Sequence, residues 1–283
     1  MSKSTDGVHV NRFWGVLNLQ TRRSRTWCLH FRLTVRRLMA AVLVLGAVFG
    51  WTALQAHIQQ SAVLAIKNAG GTVTYDWESR SGKAIQGAKP WAPTWLADLL
   101  GVDYFGHVVA VSLHGQIDGK LQFVQRLVRL ERLDISHSSA SDAGLASIED
   151  LTGLRELVLN HTRVTDNGLA HIERMTELAR LHLGGNQITD SGLQHLRQAT
   201  RLRSLDLDNT GVTDAGLEYL RLATELRFLN LGATQVTDNG MANLEDMTEL
   251  STLVLYLTQV TPDRIQGLRQ RMPKLEFVIA FRR

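Results

Sequence analysis

The sequence predicts a mixed α/β solenoid of stacked strand–turn–helix units, preceded by a single transmembrane helix and a small α+β capping module. Three observations support this prediction: an uncharged apolar run, an irregular aromatic-rich stretch after it, and a pattern that recurs every 24 residues. The predicted boundaries are a basic tail at 1–37, a transmembrane helix at 38–56, a juxtamembrane capping module at 57–107 and the solenoid at 108–283.

The apolar run extends from Leu38 to Leu54 and contains no charged residue. As a helix it rises about 25 Å, slightly less than the roughly 30 Å of a hydrocarbon core. Residues 1–37 carry eight Lys or Arg and one acid, and the first basic residue after the run is Lys67. The positive-inside rule then predicts a single-pass protein that contacts the membrane through Leu38–Ala56, with the tail in the cytoplasm and the rest outside it. A cleaved signal peptide and a buried core helix are the alternatives.

The charge distribution argues against a nucleic-acid-binding protein. The formal net charge is +4 and the pI is about 9.4, yet residues 127–270 contain thirteen Arg, no Lys and twenty acids. The excess positive charge therefore belongs to the tail, whereas a nucleic-acid binder needs it on the folded surface. The single cysteine, Cys28, excludes an intramolecular disulfide and is either a free thiol or an acylation site.

The stretch from 57 to 107 has mixed local signals. A helix is expected to end at Gly70-Gly71, a short strand to cover Thr72–Trp77, and a short helix to cover Trp95–Leu100, with a loop at 78–93. The aromatic side chains of this stretch are expected to cover the open end of the solenoid. They are Trp77, Trp91, Trp95, Tyr104 and Phe105.

From Leu127 onwards the pattern repeats every 24 residues, six times without an insertion or deletion. Apolar residues recur at positions 1, 4, 7, 9, 14, 19 and 22 of each unit. Positions 7 and 9 alternate as in a strand, and positions 19 and 22 with position 1 of the next unit have helical spacing. Each unit is therefore predicted to form a strand, a turn and a helix, and neighbouring strands to stack in parallel about 4.8 Å apart.

A polar motif accompanies the apolar one. Threonine or serine occupies position 15 of every unit, and in five units Asp follows at position 16 and Gly at position 18. The Thr-Asp pair is expected to begin the helix of its own unit, where a side-chain oxygen accepts from free N–H groups and a carboxylate suits the helix dipole. A metal ladder of carboxylates is the less favoured alternative. The pairs His137/His161 and His171/His195 also allow metal binding or simple repetition of a surface residue, and no metal or other cofactor is predicted.

The pattern L-x-x-L-x-x-L-x-L-x-x-T-x-V-T-D-x-G-L-x-x-L resembles the leucine-rich repeat family, in particular the repeat subtype of F-box-associated proteins. Position 12, often Asn or Cys in such repeats, is here Ser, Thr or Asn, and no F-box precedes the repeats. The order of basic tail, apolar run, GG-x-V-x-YDWE stretch, WL-x-x-LLG-x-DYF stretch and repeats is similar to that of bacterial membrane-anchored leucine-rich repeat proteins. The resemblance implies a binding surface displayed outside the cytoplasm.

The outward face of the strands is the predicted binding surface. Residues at positions 6, 8 and 10 alternate with the core leucines and point away from them. Arginine and aromatic residues are the commonest interface anchors, and they concentrate on the later strands and at their rim. The partner is expected to be a protein or another macromolecule. The candidate residues are Arg180, His182, Arg203, Asp206, Asp208, Arg227, Phe228, Asn230 and Tyr256.

Catalysis is not predicted. The sequence contains no G-x-S-x-G motif, no phosphate-binding glycine loop and no H-E-x-x-H motif. The alternatives to a binding protein are a structural envelope spacer without a specific ligand, an F-box-like adaptor, and an unrecognised enzyme that acts through His182, Asp206 or Asp208.

Overall fold

A computed structural model describes the backbone of residues 10–80, 83–85 and 88–279 and the side chains of residues 36–79, 85, 88–276 and 278. The side chains of most of the basic tail, including Cys28, lie outside the described residues. The chain divides into two units, Met1–Gln55 and Ala56–Arg283.

Helix α1 extends from Val10 to Asn68. No proline occurs before Pro90, so nothing in this sequence removes a backbone donor from the helix. Between Arg36 and Asn68 the helix is long and apolar enough to cross a membrane, and none of its apolar window is buried. This exposure argues against a buried core helix, whereas a signal sequence has the same length and composition.

The compact part Ala56–Arg283 contains a nine-stranded sheet in the order β1-β4-β5-β6-β7-β8-β9-β10-β11, with strands numbered in chain order. Eight of these strands run in parallel, from β4 to β11, and β1 pairs antiparallel with β4. The strands are β1 Thr72–Tyr75, β4 Val108–Ser112, β5 Arg132–Asp134, β6 Glu156–Val158, β7 Arg180–His182, β8 Ser204–Asp206, β9 Phe228–Asn230, β10 Thr252–Val254 and β11 Phe277–Ile279.

The register of the sheet follows the period of the sequence. Leu157 pairs with Leu181 and Leu181 with Leu205, so the residue at position 7 always faces its equivalent 24 residues later. These leucines are fully buried, as are those at position 9. Because side chains alternate across a strand, the residues between them lie on the opposite, outward face.

Each unit turns sharply after its strand. The residue at position 11 has a positive φ in every unit and is a glycine only once, at Gly185; elsewhere it is His137, His161, Asn209, Ala233 or Leu257. The residue at position 12 satisfies a carbonyl of the same turn: the Thr210 hydroxyl donates to Leu207 O at 2.7 Å, and the Asn186 amide to Leu183 O at 2.8 Å. At position 12 a threonine hydroxyl and an asparagine amide therefore donate equivalent hydrogen bonds to the carbonyl three residues earlier.

The helical segments are shorter than the sequence pattern predicts. The helices of the first two units have five residues each, and in the fourth and fifth units the helical turn is a 3₁₀ helix. The α-helices are α2 Thr94–Leu100, α3 Leu121–Val124, α4 Asp142–Ala146, α5 Asp166–Ala170, α6 Asp190–Leu193 and α7 Pro262–Arg271. The 3₁₀ segments are Val102–Tyr104, Asp118–Lys120, Gln194–Leu196, Gly216–Leu220 and Gly240–Leu244.

The Thr-Asp pair begins the helix of its own unit as predicted: α5 starts at Asp166, Thr165 precedes it, and the carboxylate lies in the first helical turn. The Asp166 side chain has a further contact that the prediction lacked, because it accepts hydrogen bonds from the Thr189 N–H at 2.8 Å and from the Thr189 hydroxyl of the next unit. A Cβ at Gly192 would overlap the same carboxylate. The threonine does cap its own helix in some units, since the Thr189 hydroxyl accepts from Ser191 N–H. The Thr-Asp-x-Gly motif thus links one unit to the next.

The stretch before β4 is only partly as expected. Tyr75 is buried and stacks on Trp77 with ring centroids 4.6 Å apart. Part of the predicted loop is instead two short strands, β2 Ser79–Arg80 and β3 Lys83–Ala84, which pair antiparallel. Trp91, Trp95 and Tyr104 are exposed, so these three do not cover the end of the solenoid, contrary to the prediction.

The last unit ends differently from the others. Helix α7 has ten residues, the Thr261 hydroxyl accepts from Arg264 N–H, and Pro262 begins the helix. Strand β11 then pairs in parallel with β10 and extends the sheet by one strand beyond the regular period.

Candidate binding face

The nine candidate residues lie on one face of the sheet or at its rim. Strand β7 carries Arg180 and His182, β8 carries Asp206, and β9 carries Phe228 and Asn230. The other four candidates flank these strands: Arg203 and Arg227 immediately before β8 and β9, Asp208 two residues after β8, and Tyr256 two residues after β10. The three arginines are exposed and the other six residues are half-buried. Neither Phe228 nor Tyr256 is drawn into the core.

The side chain of Tyr256 lies across the outward face towards the preceding units. Its hydroxyl donates a hydrogen bond to Asp208, two units earlier in the chain. The ring passes over Gly232, where a Cβ would overlap Tyr256 Cε1 and would lie 2.7 Å from Asp208 Oδ1. The hydrogen bond to Asp208, together with burial, raises the pKa of Tyr256 to about 12. The Tyr256 ring is therefore held in one orientation, and its hydroxyl is uncharged near neutral pH.

A second polar cluster lies on β7, β8 and the turn after β6. Asn160 Oδ1 accepts from Gly184 N–H at 2.7 Å, and its amide donates to Asp206 Oδ2 at 3.5 Å. His182 Nδ1 lies 3.8 Å from Asp206 Oδ2. Burial raises the pKa of Asp206, but hydrogen bonds from the His182 ring, the Asp208 N–H and Asn160 outweigh it and leave this pKa below its usual value. Asp206 is therefore an ionised acceptor on this face.

Arginines dominate the other end of the face. Glu156, whose side chain is only 14% exposed, accepts from Arg132 Nε at 2.8 Å and from Arg180 Nε at 2.8 Å. Arg203 pairs with Glu225 at 3.0 Å. A groove of about 390 Å³ opens beside these groups. Its lining residues are Thr74, Ser79, Val109, Ala110, Glu131, Arg132, Arg155, Ala179, Arg180 and Arg203.

Sequence reasoning missed part of this face. Arg132, Glu156 and Asn160 occupy positions 6 and 10 of the first two units and so satisfy the same rule as the nine candidates. The interface-anchor criterion favours the later units, where the aromatic residues concentrate, and so leaves these three residues out. Their contribution emerges only from contacts between units, such as the shared Glu156 between two arginines 48 residues apart. Arg155, at position 5, follows the rim pattern of Arg203.

The histidine pairs have different surroundings. His137 and His161 stack with ring centroids 4.8 Å apart. His171 lies 3.2 Å from Glu149, and His195 lies 3.5 Å from Glu173, each a glutamate of the preceding unit. Among the described residues, no three His, Cys, Asp or Glu side chains are grouped to hold a metal ion.

Comparison with known proteins identifies the class of repeat. Residues 176–196 and 198–220 match the family model of a leucine-rich repeat, so the chain contains leucine-rich repeats. A search of curated proteins gave no significant match.

Several solved structures are similar to part of this chain. An internalin from Listeria monocytogenes is 22% identical over 57% of this chain and 51% of its own, with a TM-score of 0.45. A leucine-rich repeat protein from Leptospira interrogans is 20% identical over 55% and 44%, with a TM-score of 0.42. The ectodomain of the Arabidopsis receptor kinase HAESA, solved with a peptide hormone, is 20% identical over 60% and 29%, with a TM-score of 0.46. This chain spans about half or less of each.

Proposed function

We propose that this protein is anchored in a membrane by one helix and presents the outward face of its parallel sheet to a protein or another macromolecule outside the cytoplasm. We also propose that the repeats are of the F-box-associated type and that the whole chain is related to bacterial membrane-anchored leucine-rich repeat proteins. The partner contacts the face at the nine candidate residues, together with Arg132, Arg155 and Asn160. No catalytic step is part of this function.

One observation carries the proposal: the polar and aromatic side chains of the face are already oriented before any partner binds. Tyr256 is held over Gly232 by its bond to Asp208, and Asn160 is held by the Gly184 N–H. Side chains that are fixed in advance lose less conformational entropy on association. A solvated surface without a ligand has no need of such order, so the ordered face favours a binding role over a spacer.

The two ends of the face differ in chemistry. The groove brings Arg132, Arg155, Arg180 and Arg203 together. Three glutamates pair with these arginines, so one positive charge is left in excess in a region that is otherwise acidic; they are Glu131, Glu156 and Glu225. The other end presents Asp206, an ionised acceptor, beside aromatic rings. A partner that spans both ends needs acidic groups at one and donors with apolar surface at the other, and this polarity fixes its direction on the sheet.

Photocrosslinking in the native membrane tests the binding face. A benzoylphenylalanine at position 228 is expected to give a discrete adduct with the partner, and the adduct should disappear when Tyr256→Ala is added to the same chain. The matched control places the photoreactive residue at Leu222, which is 60% exposed in a turn between units. No adduct at position 228, or equal adducts at 228 and 222, indicates a spacer and contradicts the proposal. A discrete adduct at 228 that persists with Tyr256→Ala shows a partner that does not contact Tyr256, and it overturns the assignment of Tyr256 to the contact.

The orientation has its own test. Protease added to the outer side of sealed membranes is expected to remove a C-terminal tag from the full chain. The same treatment after permeabilisation is the control, because it shows that the tag is cleavable. A tag that is cleaved only after permeabilisation places the repeats in the cytoplasm and overturns this part of the proposal.

A further inference from the structure

Large apolar side chains are exposed on and around helix α2, away from the strands of the sheet. Trp91 is 79% exposed, Trp95 65% and Leu99 73%. Monomeric proteins rarely leave several large apolar side chains uncovered in one place, and such patches mark sites of interaction. We call this surface the aromatic patch, and its residues are Trp91, Trp95, Leu99, Leu100, Val102 and Tyr104.

Local contacts hold the aromatic patch together. Trp95 and Leu99 are four residues apart on α2 and therefore share one side of the helix. Trp91 packs edge-on against Phe105 with ring centroids 5.5 Å apart, and Tyr104 lies 6.5 Å from the same ring. The patch is thus a built surface, not a set of scattered side chains.

The segment that carries the aromatic patch is hydrogen-bonded to residues at the start of the compact part Ala56–Arg283. Gln59 Nε2 donates to Asp103 Oδ1 at 2.9 Å and to the Gly106 carbonyl at 3.0 Å. Gln59 Oε1 also accepts from Val108 N–H at 3.3 Å, and the Tyr75 hydroxyl donates to Asp103 at 2.9 Å. Every one of these groups belongs to the unit that begins at Ala56.

The chain between the apolar run and this attachment point is short. Gln59 follows Leu54, the last residue of the run, by five positions. Five residues reach at most about 18 Å even when fully extended. A patch attached at Gln59 is therefore confined near the membrane surface whenever the apolar run crosses the bilayer, and this tether raises its effective concentration there.

We propose that the aromatic patch inserts into the headgroup region of the lipid bilayer. Tryptophan and tyrosine prefer this region because one part of the ring system is apolar and the other carries a hydrogen-bonding group. Asp98 is the only charged side chain on α2, so no basic cluster on this helix calls for anionic lipid. Asp98 is exposed and follows Trp95 by three positions, so it lies on the same side of the helix, and its carboxylate limits insertion to the hydrated headgroup region. This inference rests on the proposed membrane anchor.

Depth-dependent quenching tests the insertion. The full chain, with Cys28→Ser and a single Leu99→Cys, is labelled with the fluorophore NBD and placed in phosphatidylcholine nanodiscs with or without nitroxide-labelled lipid. Two matched chains carry the cysteine at Leu45 in the apolar run and at the exposed Leu222, which are 56% and 60% exposed. We expect quenching at positions 45 and 99 and none at 222. Adding Trp95→Asp should abolish quenching in the Leu99→Cys chain and leave quenching in the Leu45→Cys chain unchanged.

The possible failures are distinguishable. Quenching at 45 without quenching at 99 overturns the insertion and leaves the anchor intact. A label at 45 that is not quenched overturns the anchor and the insertion together. A label at 99 that is blue-shifted but not quenched indicates that protein, for example a second copy, covers the patch instead of lipid. Quenching at 99 that survives Trp95→Asp also refutes the proposal.

Discussion

Replacing Asp190 with alanine is expected to lower the free energy of unfolding by about 3 kcal/mol. Asp190 Oδ1 accepts from the Thr213 N–H at 2.8 Å, and Oδ2 accepts from the Thr213 hydroxyl at 2.6 Å. A hydrogen bond to a charged group contributes about 1.5–3 kcal/mol net, and the alanine leaves two half-buried donors without this partner. Water reaches part of the site, so the loss should lie near the lower end of the sum.

A graded series separates this link from a general loss of charge. Asp190→Asn keeps one acceptor for the Thr213 N–H and should cost only about 1 kcal/mol. Thr213→Val removes the hydroxyl, and the double-mutant cycle with Asp190→Ala should give a coupling of about 1–2 kcal/mol. Asp150→Ala, at an exposed aspartate, is the control and should change stability by less than about 0.5 kcal/mol.

The measurement is urea unfolding of the full chain in detergent micelles, followed by far-ultraviolet circular dichroism. Amide hydrogen exchange at Thr213 supplies a local readout, since the contact lies between neighbouring units. If Asp190→Ala costs no more than Asp150→Ala, or if the coupling is zero, the aspartate does not link the units and this account of the Thr-Asp-x-Gly motif is wrong.

Three further predictions concern turns and the binding face. Gly232→Ala forces the Tyr256 ring aside, so it should lower the free energy of unfolding by about 1–3 kcal/mol and change the near-ultraviolet dichroism of tyrosine. The control is Gly267→Ala in helix α7, which has open space around it and should raise the free energy of unfolding by about 0.5–1 kcal/mol. Gly185→Ala places a side chain at a φ of +69° and should cost at least about 1–2 kcal/mol in the same unfolding assay; no loss would contradict the left-handed turn. Because the pKa of Tyr256 is raised above its usual value of 10 to about 12 by the bond to Asp208, the resulting stabilisation is complete below pH 10 and is lost as the pH rises to 12. An ultraviolet titration of the wild type minus Tyr256→Phe should have its midpoint near 12, and a midpoint near 10 would show that the bond is absent.

The strand face was largely predictable, whereas its internal contacts were not. A fixed period of 24 with alternating leucines requires in-register strands, and all nine candidate residues lie on the outward face or at its rim. The bond between Tyr256 and Asp208 spans 48 residues and depends on the missing side chain of Gly232. Nothing in the period of the sequence indicates which of several polar neighbours a given side chain bonds.

The aspartate of the repeated motif illustrates the same limit. Its position in the first helical turn accounts for a carboxylate there, and only the stacking of units shows that Asp166 also accepts hydrogen bonds from Thr189 of the next unit. The tryptophans of residues 57–107 show a second limit of sequence reasoning. The composition of this stretch does not tell whether Trp95 covers a core or faces solvent, and in the structure it is exposed.

The parallel register and the burial of the core leucines follow from the sequence alone, because side-chain alternation and a constant period leave one arrangement that removes them from water. The tertiary structure selected which polar groups meet, since a difference of a few tenths of an ångström between side chains one or two units apart decides whether a hydrogen bond forms. It also decided which aromatic rings stay exposed, because that depends on how much surface the neighbouring segments leave uncovered.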